Sequence, residues 1–103
     1  MCGINGVIYQ KNKNNKELKT EIDSMNDLII HRGPDDDGVY TYSKSPGFSL
    51  AMGMRRLSII DLSSGKQPIF SDDKKIVIVF NGEIYNYKIL KKELENKGVN
   101  FNT

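Results

Sequence analysis

Cys2 is the single cysteine in this chain of 103 residues, and loss of Met1 would make it the N-terminal residue. One residue would then carry both a thiol and a free α-amine. A thiol attacks as its thiolate, so it needs a base or an electropositive neighbour. An α-amine, with a reference pKa of about 7.7–8.0, accepts a proton near neutrality and suits that task. Position alone does not make a nucleophile, because most single thiols have no catalytic role. The remaining residues have to decide.

Three further stretches carry chemistry. HRGPDDDG, residues 31–38, holds the only histidine and the adjacent carboxylates Asp35, Asp36 and Asp37. Three consecutive aspartates do not all point inward, and the stretch lacks calcium-loop spacing and a distal Glu, so no metal is expected there. His31 leaves a Cys–His pair open, beside the plainer reading of a histidine at a helix end. In MRRLSIIDL, residues 54–62, Arg55 and Arg56 are adjacent and face opposite ways if the segment is extended. One would meet solvent, while the other turns inward and needs an acidic partner or substrate. A guanidinium suits bidentate carboxylate recognition. Residue type does not choose between the two. Asn81-Gly82 is the strongest short signal for a two-residue hairpin turn, and local chemistry favours that reading. The alternative is an oxyanion hole built from an amide side chain and a glycine N–H, with Glu83 as a charge beside it.

The elements that must position these residues can be read from periodicity. Residues 4–9 form a short β-branched strand directly after Cys2. Leu18, Ile22, Met25 and Ile29 recur at helical spacing, with Asn14 and Glu17 as a capping box. His31 and Arg32 fall in the last turn of that helix, and Gly33-Pro34 end it. Val39–Ser43 and Phe48–Met52 read as strands joined by Lys44-Ser45-Pro46-Gly47. Ser63-Ser64-Gly65 and Ser71-Asp72-Asp73-Lys74 read as turns. Residues 76–80 are continuously apolar, which predicts a strand covered on both faces in a layered sandwich. Asn86 is placed to cap a second helix with Ile89, Leu90 and Leu94 on its buried face and Gly98 at C′. An extended segment then begins at Val99.

Composition excludes several classes. Fifteen basic against thirteen acidic residues leave a net charge of +2, and the signs are interspersed, so there is no nucleic-acid patch. A lone cysteine rules out an internal disulfide framework and fits a reducing compartment. No signal peptide or membrane-spanning run is present, so a cytoplasmic location is expected.

Taken in order and spacing, MCGINGV, HRGPDDDG, RRLSIIDL and NGEIYNY resemble the class II glutamine amidotransferase domain, most closely that of the glutamine-hydrolysing asparagine synthetases. The resemblance implies an α+β fold, a four-layer αββα sandwich of the N-terminal-nucleophile hydrolase type, incomplete in these residues. It implies that Met1 is removed and that Cys2 attacks the glutamine side-chain amide, its own amine serving as base. It turns Asn81 and Gly82 into the oxyanion hole and selects Arg56 for the substrate carboxylate. The backbone of Leu57, Ser58, Ile59 and Ile60 would line the pocket, and Glu83 would hold the substrate amino group. Glutamine is a zwitterion, so a cation and an anion are both needed.

The implied function is the glutaminase part of an asparagine synthase, with no cofactor in this segment. ATP and Mg2+ would serve a C-terminal synthetase domain that adenylates aspartate and receives the ammonia. That domain and glutamine are the implied partners, and a homodimer stays open. The family pattern continues beyond Thr103 with an Asp that completes the amino-group site. Residues 1–103 are therefore expected to be an incomplete site, inactive in isolation. Two alternatives remain: a related synthetase amidating another acceptor, or an inactive truncated fragment that packs against another protein.

Overall fold

The computed structural model describes residues 2–44, 47–57 and 66–101. Three strands make the main sheet: β1 (Gly3–Tyr9), β2 (Asp36–Lys44) and β3 (Phe48–Arg56). They are antiparallel in the order β1-β3-β2. The register runs from Gly3↔Arg55 to Tyr9↔Ser49 on one side of β3 and from Asp36↔Arg56 to Lys44↔Phe48 on the other. Strands β2 and β3 extend beyond the predicted limits, so Asp36 and Asp37 lie in β2 and Arg55 and Arg56 close β3.

Helix α1 (Asn15–Leu28) covers one face of this sheet. Its start follows from the sequence: Asn14 Oδ1 accepts the Glu17 N–H at 2.7 Å, and Asn14 Nδ2 donates to Glu17 Oε1 at 3.1 Å. The first bond satisfies a helix-end donor that has no partner within the helix, and the second ties the capping side chain to Glu17. Leu18 and Ile22 are fully buried against Ala51, with Val7, Tyr9, Met25 and Val39 around them. The helix stops at Leu28, with Ile29 as its C-cap, one turn earlier than the apolar spacing implied. His31 and Arg32 are therefore outside the helix, in a turn where Arg32 N and Gly33 N donate to Ile29 O and Ile30 O at 3.0 and 3.2 Å. This corrects their assignment to its last turn. The turn frees Arg32 to point along the sheet instead of along a helix.

A buried amide chain fastens α1 to the strands on both sides. Asn5 Nδ2 of β1 donates to Asn26 Oδ1 at 2.9 Å, and Asn26 Nδ2 donates to Gly38 O of β2 at 3.3 Å. Asn26 is 2% exposed, so these bonds replace the water it has lost.

The opposite face of the sheet meets a smaller hairpin, β4 (Ile69–Phe70) and β5 (Val77–Ile78). Its turn was foreseen, with Lys74 N donating to Ser71 O at 2.9 Å. Tyr40 of β2 stands edge-on to Phe70, ring centres 5.7 Å apart. Val79 joins Gly6, Ile8, Leu50 and Met52 around a groove of 450 Å³ on the same side. Residues 76–80 were expected to be a strand covered on both faces, yet only Val77 and Ile78 are in a strand, and Ile76 is 69% exposed. Among the described residues β5 pairs only with β4, and one face of this two-stranded hairpin has no layer packed on it.

Helix α2 (Tyr87–Asn96) ends as its sequence predicts. Gly98 at φ +91° lets Val99 N donate to Leu94 O and Gly98 N to Glu95 O, both at 3.0 Å, a Schellman motif. Its expected face is not buried: no residue of α2 is buried, and among the described residues no other helix or strand packs on it. Asn86 occupies the N-cap position but makes no side-chain capping bond. An α+β arrangement is thus in place: one helix on an antiparallel sheet, a hairpin on the other face, and a solvent-facing second helix.

Candidate active site

Cys2, Arg56 and Asn81 come to the end of the sheet where β1 begins and β3 ends. In the β1–β3 register Gly3 faces Arg55, so continuing by one residue sets Cys2 opposite Arg56. Strand alternation then puts both on the sheet face away from α1, the face toward which the hairpin and residue 79 lie. Cys2 is half-buried.

Two side chains grip the Cys2 carbonyl. Arg32 Nε donates to it at 3.2 Å, and Asn81 Nδ2 donates to it at 2.9 Å. One donor comes from the turn after α1 and the other from the segment after β5. Asn81 is 79 residues away in sequence, and only the tertiary fold brings it to Cys2. Among the described residues no strand follows β5 to pair with it, so Asn81-Gly82 does not form the hairpin turn that local chemistry favoured.

The two arginines separate as strand alternation demands. Arg55 is on the α1 face and 9% exposed. Its Nε donates to Gly33 O at 2.8 Å, and its Nη1 lies 3.6 Å from Asp37 Oδ2. That acidic partner occupies the directly facing position of β2. Arg56 is half-buried on the other face, the one shared with Cys2, and its carbonyl accepts Asp35 N at 3.1 Å. Arg55 thus ties the 33–37 segment to the sheet, which leaves Arg56 as the arginine on the Cys2 side. Leu57 follows β3 and is 39% exposed. Ser58, Ile59 and Ile60 lie outside the described residues, as does the Ser63–Gly65 turn. Gly82 and Glu83 follow Asn81 on an exposed segment. His31 is exposed and makes no hydrogen bond to Cys2, so the geometry does not favour a Cys–His pair.

Sequence reading missed two residues at this site. Arg32 was assigned to a helix end, although Gly33-Pro34 directly after it was a signal that the chain turns there. Gln67 was not singled out. Its side chain bonds both backbone polar groups of Phe80, the residue before Asn81. Nothing local marks a glutamine for that task.

A family model described as a glutamine amidotransferase domain matches residues 1–103. The chain belongs to this family. It is 48% identical over its whole length to asparagine synthetase [glutamine-hydrolyzing] 1 of Bacillus subtilis, covering 16% of that protein. It is 45% identical to putative asparagine synthetase [glutamine-hydrolyzing] 2 of Methanocaldococcus jannaschii, over 90% of the chain and 20% of that relative. A Brassica oleracea asparagine synthetase [glutamine-hydrolyzing] is 40% identical over 93% of the chain, which covers 15% of it. The amidotransferase chain thus spans about a fifth or less of the length of these relatives. Among its described residues, no group of three or more His, Cys, Asp or Glu is arranged to hold a metal ion, and no helix is long and apolar enough to cross a membrane.

Proposed function

We propose that this chain is the glutamine-hydrolysing part of an asparagine synthase, with Cys2, freed of Met1, as its nucleophile. The observation that carries the reading is the 2.9 Å bond from Asn81 Nδ2 to the Cys2 carbonyl, in a chain of the glutamine amidotransferase family. The thiol of Cys2 passes its proton to its own α-amine, and the sulfur adds to the carboxamide carbon of glutamine. The developing oxyanion is taken by the second N–H of Asn81 Nδ2 and by the Gly82 N–H, donors aimed where charge appears. The tetrahedral adduct collapses, the protonated amine gives its proton to the leaving nitrogen, and ammonia departs. Water then cleaves the γ-glutamyl thioester to glutamate, with the amine again as base.

Arg56 receives the substrate carboxylate, and Glu83 its ammonium. The backbone of residues 57–60 lines the pocket between them. ATP and Mg2+ would serve the activation of aspartate elsewhere in the parent protein, and no residue of this chain is assigned to them. The relatives' names support aspartate as the acceptor.

The same reading carries the four-layer αββα architecture. The α1 helix and the β1-β3-β2 sheet would be two adjoining layers, with the β4–β5 segment belonging to the second sheet and α2 to the outer helical layer. Further residues of the parent would cover their exposed apolar side chains.

The test uses the full-length parent. Cys2→Ala should abolish glutamine-dependent asparagine formation while leaving ammonia-dependent formation intact. Retained glutamine-dependent product would sink the assignment of Cys2. Amidation of another carboxylate in place of aspartate would overturn the acceptor and leave the glutaminase half standing.

A further inference from the structure

Asn81 lies beyond the last strand of the small hairpin, where among the described residues no neighbouring strand holds the backbone. A side chain does so instead. Phe80 N donates to Gln67 Oε1 at 2.6 Å, and Gln67 Nε2 donates to Phe80 O at 2.9 Å. One planar amide thus satisfies both polar groups of one residue, as a strand neighbour would. Two bonds fix orientation as well as distance, and Phe80 O belongs to the peptide that joins Phe80 to Asn81. The same residue supports Gly82, where a β-carbon would stand 3.1 Å from the Phe80 ring.

Gln67 is itself anchored to the main sheet. Its carbonyl lies so close to Gly38 of β2 that a β-carbon at Gly38 would come within 1.9 Å of it. Only glycine permits that approach. A continuous path therefore runs from β2 through Gln67 and Phe80 to Asn81, and from Asn81 Nδ2 to the Cys2 carbonyl.

We infer that Gln67 is a positioning residue for the oxyanion hole, holding Asn81 and Gly82 in register with Cys2 through its two bonds to Phe80. The inference rests on the glutaminase reading above. It concerns kcat more than substrate binding, because the oxyanion exists only along the reaction path and a small misplacement of its donors weakens transition-state stabilisation.

The test is steady-state glutaminase kinetics on the full-length parent, with ammonia-dependent synthesis as a check on the fold. Gln67→Leu should lower glutaminase kcat about 10–100-fold, with KM within about 3-fold and ammonia-dependent synthesis unchanged. A kcat within about 3-fold of wild type, or a rise in KM alone, would overturn the role of Gln67.

Gln67→Glu supplies an arm that holds even if the leucine variant fails to fold. An ionised carboxylate accepts from Phe80 N but repels Phe80 O, whereas the protonated acid can donate to that carbonyl. The kcat of Gln67→Glu relative to wild type should therefore rise as pH falls from about 8 toward about 5.5. A ratio that stays flat contradicts the inference. Failure of the underlying reading looks different: Cys2→Ala would then keep its glutamine-dependent activity.

Discussion

At the scale of single residues, side chains of ordinary appearance divide into those that hold the fold and those that meet at Cys2. Tyr9 belongs to the first group. Its hydroxyl donates to Glu21, and Lys13 Nζ sits 3.9 Å from the centre of its ring. The bond to the Glu21 carboxylate, together with burial, holds the Tyr9 phenol above its ordinary value. A group whose pKa is raised on folding adds stability that is fully present below its unfolded value and is lost as pH rises through the folded one. Wild-type stability should therefore fall as pH climbs past about 10. Tyr9→Phe should be less stable near neutrality and show a shallower alkaline decline, measured as urea midpoints across that range. An identical slope in both proteins would remove Tyr9 from the account.

Arg55 and Arg56 show how far residue type reaches at this scale. Residue type left the pair open and the family resemblance pointed to Arg56, while the structure shows Arg55 turned to Asp37 across the sheet and Arg56 on the opposite face. Arg32 and Gln67 were not legible as site residues. Each acts through a backbone carbonyl brought close by the fold, and a carbonyl has no sequence signature.

At the scale of elements, the local signals that held were those resolved within a few residues. The Asn14–Glu17 box produced the start of α1, and Gly98 produced the end of α2. Asn14→Ala should cost about 0.5–2 kcal/mol of stability, read from chemical denaturation, because the Glu17 N–H loses its acceptor. A change indistinguishable from zero would mean the cap is replaced by water without loss. Two local signals failed, the Asn86 side-chain cap and the end of α1, and the other failures depended on a partner. Apolar runs in residues 76–80 and α2 predicted burial, and periodicity records which face wants covering without saying what covers it.

At the scale of the molecule, the main sheet and α1 share a small core. Leu18, Ile22 and Ala51 are fully buried in it, and Met54 is buried on the opposite face. The later part of the chain differs. Ile84, Ile89, Leu90, Leu94 and Phe101 are each at least 40% exposed, and several surround a groove of 440 Å³ with Tyr87 and Lys91. Contiguous apolar surface of this kind marks a face made for burial. A polypeptide of residues 1–103 should therefore bind the dye ANS with a marked rise in fluorescence, and the full-length parent should bind it far less per molecule. Equal fluorescence from both would contradict a covered face in the parent.

Met1-Cys2-Gly3, Arg56, Asn81-Gly82 and Glu83 were singled out as a candidate set by the family resemblance of the sequence alone, because the types and order of chemical groups are properties of the chain. The three main strands and the capped start of α1 were legible there too. Which residues touch was settled only by tertiary structure. Asn81 reaches Cys2 across nearly the whole chain, Arg55 turns to Asp37 and leaves Arg56 on the Cys2 face, and Gln67 bonds both backbone polar groups of Phe80. Periodicity and propensity act over a few residues, whereas these contacts arise from strand register and from layers meeting face to face.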